Sequence, residues 1–548
     1  MQKDAFPAIA FAGTFLLYLS GMFIPIMEVD AAQYASISME LLQQDEYLQI
    51  RHRGMDYLDK PPLLFWLGAL SISVFGPTSF AYKFPSVLAL ILGVYSTYRF
   101  ARLYYPEQTA RATALILATS LSAFLMANDC RTDNLLLGFS GLAIWKGAAY
   151  LKTSRLPDLV IASIGVGLAM LAKGPLGFVF PLLALGPHMV IRCPKRFGDL
   201  YGLIVLPIVG LVLSPMLLGL YRQYGWEGFQ FYFWTQSFGR ITGDSSWTNN
   251  TGPFFFVHTF LWSFLPFTFF FLPALFRYLV FFFSRKKEAG PPEWISLGGF
   301  LLTFVALSLS RYKLPHYIYL VSPMAAVMTA WFWMEVFGKM NISIVLLRTQ
   351  WVLMGVLVLG VPAFSFWVWQ DFPWTWLGAM ILYGAYWWAN RNKQKDSWPL
   401  SFRATVLSGL LVGAVLNLHF YPRLLTYQAP SEAAFYLAEE GVSPEEVIAY
   451  KKYGHTLSYY LGGVVPFLYA PEQVNSILQS DQEVWVFTQD EGRSDLEKLE
   501  VLVESDTSFS HFPVAKLNLP FLNPRTRPQK TEKMHLLRVK TEKPVKKE

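Results

Sequence analysis

Six short polar stretches interrupt a chain that is otherwise strongly apolar, and they hold the side chains able to do chemistry. The first reads Glu28-Val29-Asp30-Ala31-Ala32-Gln33-Tyr34-Ala35. Asp30 follows a long apolar run and opens a helix-like segment. It is either a helix cap or a carboxylate placed to accept a proton or hold a hydroxyl. The second is Tyr57-Leu58-Asp59-Lys60-Pro61-Pro62, where paired prolines fix a helix start. Lys60 either reaches along its stem to an interface or offers its ammonium to a phosphate, and Lys83 before Phe84-Pro85 has the same two readings. The third, Asn128-Asp129-Cys130-Arg131-Thr132-Asp133, crowds charges ahead of an apolar run, and Asp133 stands where a helix is capped or a site is built. Lys173-Gly174-Pro175 marks a tight turn between two helices. The long stretch 222–253, with Arg240, is a gating segment or a packed loop. The last is Ser310-Arg311-Tyr312-Lys313-Leu314-Pro315-His316-Tyr317. If Lys60, Lys83, Arg240, Arg311 and Lys313 converge, they form an anion site for a phosphate or diphosphate.

Whether they converge depends on the elements between them. The 548 residues are 53% hydrophobic and only 15% charged, too little charge to cover a soluble surface. Apolar runs near the ~20 residues that cross a bilayer are expected at 6–27, 84–104, 110–127, 134–151, 156–172, 175–191, 199–221, 254–280, 294–309, 315–337, 346–368, 374–390 and 403–420. This predicts a mainly α, polytopic fold of about thirteen spans. The stretch 61–77 is ambiguous, and the basic loops decide it. With thirteen spans, the Arg and Lys clusters near 99–111, 152–155, 192–196, 277–287, 339–348 and 391–403 all share the side of the N terminus. A crossing at 61–77 would turn them outward, so that stretch is predicted to lie on the outer face. Residues 1–27 read as the first span rather than a cleaved leader. The N terminus is then cytoplasmic and all six polar stretches share the opposite face.

Residues 1–420 are thus expected to form a membrane domain and 421–548 a small extracytoplasmic α/β domain. Strands are predicted at 447–450, 464–469, 484–487 and 536–539, with helices at 431–440, 455–461, 471–479 and 494–504. The basic end from Arg525 reads as a frayed tail, and His455 as structural. Cys130 and Cys193 fall on opposite sides, which gives no disulfide framework. The net charge of +7 lies largely in the loops and speaks of topology. A transporter would place ionisable groups at mid-membrane and show repeat symmetry. An assembly scaffold would not need charged outer loops. Polar groups gathered at one face point instead to chemistry at the outer leaflet.

In order, these motifs resemble the membrane glycosyltransferases of the GT-C class, in the protein O-mannosyltransferase superfamily and its lipid A aminoarabinose transferase branch. The resemblance rests on Asp30 to Ala35, Asp59 to Leu63, Asp133, Lys173 to Pro175 and Ser310 to Tyr317, and covers about the first 340 residues. It implies transfer of a sugar from a polyprenyl-phosphate donor to a lipid A-like or other envelope acceptor, at the periplasmic face of a bacterial inner membrane. Protein O-mannosyl transfer, ligation from a diphosphate-linked donor and a lipid-linked sugar flippase are the alternatives. No nucleic acid partner is expected, and no glycine-rich nucleotide loop stands on the cytoplasmic side. A monomer among membrane lipids is expected.

The resemblance further implies that Asp30 and Asp133 are catalytic. Lys60, Lys83, Arg240, Lys313 and Tyr317 are expected to hold the carrier phosphate, and Tyr34, Asp59, Arg311 and His316 to position substrate. No cofactor is expected. Some members hold a divalent metal at the acidic residue before the lysine, here Asp59, but no histidine partners are legible, so no metal is predicted. Two positions depart from the branch: Ala31 and Gln33 replace an acidic residue and an arginine of the first motif, and Lys83 stands where arginine is common.

Overall fold

The computed structural model describes residues 5–236, 239, 249, 251–284, 290–337, 343–390, 398–478, 483–498 and 501–541. The chain opens with α1 (Phe6–Met22), α2 (Asp30–Gln44), a two-residue hairpin of β1 (Arg51–His52) and β2 (Met55–Asp56), and α3 (Leu63–Phe75). Then follow α4 (Ser79–Tyr104), α5 (Glu107–Ala118), α6 (Leu121–Asn128), α7 (Thr132–Thr153), α8 (Leu156–Lys173), α9 (Leu176–Arg192) and α10 (Val205–Gln230). Among the described residues six helical runs are long and apolar enough to cross a bilayer, and α5 with α6, bent by 50°, makes a seventh if the pair is one span. The runs after α10 include Pro315–Val336, Ile344–Trp369 and Leu400–Leu425. The protein is a polytopic, mainly helical membrane protein. At 13 residues, α3 reaches about 20 Å, short of the ~30 Å hydrocarbon core.

Hydrocarbon gives helices no hydrophobic reason to associate, so close contact must come from small residues. The α4–α7 interface shows this. Gly138 on α7 rests directly on the α4 backbone, where a Cβ would stand 2.3 Å from the Ala89 carbonyl oxygen, and Gly141 lies against Gly93 and Ser96. The Lys173-Gly174-Pro175 turn forms as read: Gly174 takes φ +69° and ends α8, and Pro175 leads into α9. This puts Lys173 at the last residue of one helix, beside the start of the next.

The C-terminal residues build a five-stranded sheet in the order β4 (Phe467–Leu468), β3 (Val447–Tyr450), β5 (Val484–Gln489), β7 (Glu532–Thr541), β6 (Val501–His511). β3 runs parallel to β4 and β5, while β7 is antiparallel to β5 and β6. The side chains alternate with the pleat: Val447, Ala449, Phe487 and Leu536 enter one core, while Ile448, Tyr450, Val486 and Leu537 enter another. Two expectations are corrected here. The helix foreseen over 494–504 is Asp490–Glu497 followed by β6, whose polar Glu-Ser-Asp-Thr-Ser run conceals a strand. The frayed tail from Arg525 contains β7, an inner strand whose basic residues Lys533, Arg538 and Lys540 are exposed while Leu536, Leu537 and Val539 are buried. The strand foreseen over 464–469 shortens to β4.

The α4–α7 contact yields a stability test. Gly138→Ala meets a backbone carbonyl that no rotamer can move aside, so it is expected to cost about 1–3 kcal/mol and lower the Tm of the detergent-solubilised protein. Gly355→Ala, where a Cβ meets nothing within 4 Å, is the control. Equal melting of the two variants would remove α4–α7 contact as a stability determinant.

Candidate functional site

Several chain segments meet around a cavity of about 300 Å³. α2 contributes its first residue, Asp30, together with Gln33 and Tyr34 one turn on. α7 contributes Thr132 and Asp133 from its first turn, and α8 its last residue, Lys173. The segment before α3 brings Asp59, Lys60 and Pro61, and the segment after the helix Ile295–Leu309 brings Ser310, Tyr312, His316 and Tyr317. Two helix N-termini thus open onto the cavity, and their unpaired N–H groups favour negative charge.

The charges are tied in pairs. Asp30 Oδ2 accepts from Arg131 Nη1 at 2.5 Å, and Arg131 Nε donates to Asp129 Oδ2 at 2.8 Å. Burial works against the Arg131 charge, but Asp129 and Asp30 outweigh it and push its pKa further up, so the guanidinium stays cationic. Lys173 Nζ donates to Asp133 Oδ1 at 2.5 Å and stands 4.4 Å from the centre of the Tyr317 ring. His316 Nε2 is 3.9 Å from Asp133 Oδ2. Lys60 pairs with its neighbour Asp59. The two aspartates foreseen as catalytic differ in access: the Asp30 side chain is 44% exposed, that of Asp133 only 7%. Asp30 can meet an incoming group, whereas Asp133 is enclosed and holds Lys173. Deeper in, Leu136, Leu176, Val179, Leu307 and Leu320 give the cavity an apolar wall.

The structure therefore brings together Asp30, Tyr34, Asp59, Lys60, Asp133, His316 and Tyr317. It does not bring Lys83, whose buried ammonium donates to the carbonyls of Ile24 at 2.8 Å and Gly21 at 3.1 Å, closing the end of α1. Lys313 is buried away from the cavity, with its backbone N–H on Asn249 Oδ1 at 3.2 Å and Nζ 3.4 Å from the Thr251 carbonyl. Arg311 is exposed and outside the lining. Arg240 lies outside the described residues. Arg131, Lys173 and Gln33 line the cavity without having been singled out as site residues. The signal for the first two was their place in quoted motifs. No group of three His, Cys, Asp or Glu is gathered for a metal among the described residues, and Asp59 is engaged by Lys60, so no step is routed through a metal.

Removing one partner of an enclosed ion pair strands the other. Lys173→Met is expected to destabilise the protein by about 3 kcal/mol, and Asp133→Asn in the same chain to recover part of it. A double-mutant cycle on unfolding in micelles checks this; strictly additive losses would mean that the pair is not coupled.

Comparison with known proteins fits this geometry. Residues 59–218 match the family described as dolichyl-phosphate-mannose-protein mannosyltransferase. Two curated relatives from Pseudomonas fluorescens are named undecaprenyl phosphate-alpha-4-amino-4-deoxy-L-arabinose arabinosyl transferases. That of strain Pf0-1 is 27% identical over 332 residues, 58% of this chain and 56% of the relative. That of strain Pf-5 is 30% identical over 334 residues, 58% and 54% respectively. The chain spans about half the length of these relatives. Among solved structures, ArnT from Cupriavidus metallidurans bound to undecaprenyl phosphate superposes with a TM-score of 0.73 at 19% identity, over 91% of this chain and 96% of that one. Its apo form gives 0.72 at 16% identity, over 97% of each. The resemblance read from the motifs holds, and the fold is shared along almost the whole chain.

Proposed function

We propose that this chain is a glycosyltransferase that moves a sugar from a polyprenyl-phosphate donor to a lipid acceptor at the outer face of a bacterial inner membrane. The observation that carries the reading is the joining, in one cavity, of a charged mouth and an apolar wall. The wall of Leu136, Leu176, Val179, Leu307 and Leu320 suits an isoprenoid chain, and Lys60, Arg131, Lys173 and Tyr317 at the mouth suit its phosphate. The names of the arabinosyl transferase relatives support an aminopentose donor carried on a polyprenyl phosphate, and the motif resemblance implies a lipid A-like acceptor. In topology the reading is thirteen spans with the N terminus cytoplasmic, and residues 421–548 as a separate periplasmic domain, supported by the single side on which the basic loops fall.

The chemistry follows from the placements. The acceptor oxygen attacks the anomeric carbon, the bond from that carbon to the phosphate oxygen breaks, and the electron pair leaves with the polyprenyl phosphate. Charge grows on the departing phosphate, and preset cations that meet it there supply the largest stabilisation such a site offers. Lys60 and Arg131 take that part, with Tyr317 as hydroxyl donor and Arg240 as a further cation. A hydroxyl acceptor gives its proton to Asp30, the exposed carboxylate; a phosphate acceptor is already anionic and needs no base, and Asp30 then only orients groups. Asp133 acts through Lys173, holding it in place. Tyr34, Asp59 and His316 shape the sugar's surroundings.

The test is sugar transfer from a radiolabelled polyprenyl-phosphate donor in membrane vesicles at matched expression. Asp30→Asn and Lys60→Ala are each expected to lower transfer by about 100-fold or more, and the labelled product names the acceptor. Wild-type transfer in both variants would remove these residues from the site, and no transfer by the native chain would favour a transporter.

A further inference from the structure

The exposed carboxylate of Asp30 stands at the start of a helix entered from a loop, and something must fix that entry. The C-terminal residues do so. The Ile26 N–H donates to Tyr460 Oη at 2.8 Å, and its carbonyl accepts from Gln428 Nε2 at 2.8 Å. The Glu28 N–H donates to Gln428 Oε1 at 2.8 Å. The Glu28 side chain then reaches the helix His455–Leu461, where its Oε1 accepts from the Thr456 N–H at 2.7 Å and the Thr456 hydroxyl at 2.9 Å. The same helix holds α2 further along: Ser36 Oγ donates to the His455 carbonyl at 3.0 Å, and Gln43 Nε2 to the Gly462 carbonyl at 2.6 Å. At ~100° per residue, Ser36 and Gln43 share one stripe of α2, and Asp30, Gln33 and Tyr34 are centred about a third of a turn round from it. One flank of the helix is fastened to the C-terminal residues and a neighbouring flank lines the cavity.

We infer that Glu28 is a positioning residue for Asp30: its carboxylate fastens the entry of α2 to Thr456, so that the C-terminal residues set where the reacting carboxylate stands. The inference rests on the proposed transferase reading. Burial raises the Glu28 pKa to about 7, against the opposing pull of the Thr456 hydrogen bonds. Both donors meet the same oxygen, so either protonation form keeps the contact, and an amide oxygen at that place does the same. Gln428 accounts for the bonds of the Ile26 carbonyl and the Glu28 N–H, Tyr460 ties the Ile26 N–H to the helix that also holds α2, and the Glu28 carboxylate ties the residues next to Asp30 to the start of that helix.

The experiment uses the full chain in proteoliposomes, with transfer kinetics from labelled polyprenyl-phosphate sugar and hydrogen–deuterium exchange on the same samples. Glu28→Ala is expected to lower kcat about tenfold or more with KM for the donor within about twofold, since displaced reacting groups cost rate rather than carrier binding. Glu28→Gln keeps the acceptor oxygen and is expected to retain kcat within about threefold of wild type. Amide exchange over 26–34 rises in Glu28→Ala and not in Glu28→Gln. Thr456→Val, which loses only the hydroxyl bond, shows the same changes more weakly and stands in if Glu28→Ala fails to fold. Unchanged exchange over 26–34 in Glu28→Ala or Thr456→Val overturns the proposal, as does an equal kcat loss in the Ala and Gln variants or a change confined to KM. If the native chain transfers no sugar, the transferase reading falls, and the exchange data still decide whether Glu28 anchors α2.

Discussion

A charge beside hydrocarbon is tolerated when an opposite charge or a set of hydrogen bonds meets it. At the cavity mouth this requirement decides which helix ends come together. Asp30 at the head of α2 is drawn to Arg131, which also binds Asp129 at the foot of α6. Asp133 at the head of α7 is drawn to Lys173 at the foot of α8. The Asp133–Lys173 pair joins one helix beginning to another helix's end, so there the dipoles act in the same sense as the side chains, whereas Arg131 stands at the start of α7 and is held by its two carboxylates. The small-residue contact of α4 with α7 and the Gly174 turn bring the helices close enough for these pairs to form. A phosphate entering such a site does not meet bare cations. It shares them with carboxylates already present.

The C-terminal sheet belongs to the same arrangement. It has two cores of its own, yet its helix His455–Leu461 bonds to α2, and Tyr459 donates to the Thr78 carbonyl at the head of α4 at 2.9 Å. Residues more than 400 positions apart in sequence meet at Glu28 and Thr456. Where the cavity's residues lie on a few helix ends, a neighbouring unit that holds those ends shapes the cavity without lining it.

Much of this was legible in the sequence. The helical fold, the turn at Gly174 and the helix His455–Leu461 follow from local apolar pattern and turn residues. Asp30, Asp59, Lys60, Asp133 and Tyr317 were legible because polar residues at the edges of apolar runs are few. Their partners were not. Arg131 lies 101 positions from Asp30, and Lys173 lies 40 from Asp133, and no local pattern pairs residues across helices. Lys83 and Lys313 show the converse. Loop charge places a residue on one side of the membrane but says nothing of its depth, and both ammonium groups turn back to backbone carbonyls. β6 escaped notice because its middle, Glu504 to Ser508, is polar, and β7 was legible only over 536–539 because the basic residues around that stretch resemble those of a tail.

α3 leaves Leu70, Val74 and Phe75 exposed along its outer flank, while Leu64, Phe65 and Ala69 face the protein. In the topology proposed above, such a helix, with oily residues on its free side, lies at the boundary between headgroup and acyl chain. Lys60 is carried three residues ahead of its start. The lipid is therefore one of the surfaces against which the ammonium is set, and a bilayer that thins or thickens shifts that boundary relative to the helices that cross it. The distance between Lys60 and the carboxylates on α2 and α7 is a property of the protein together with its membrane.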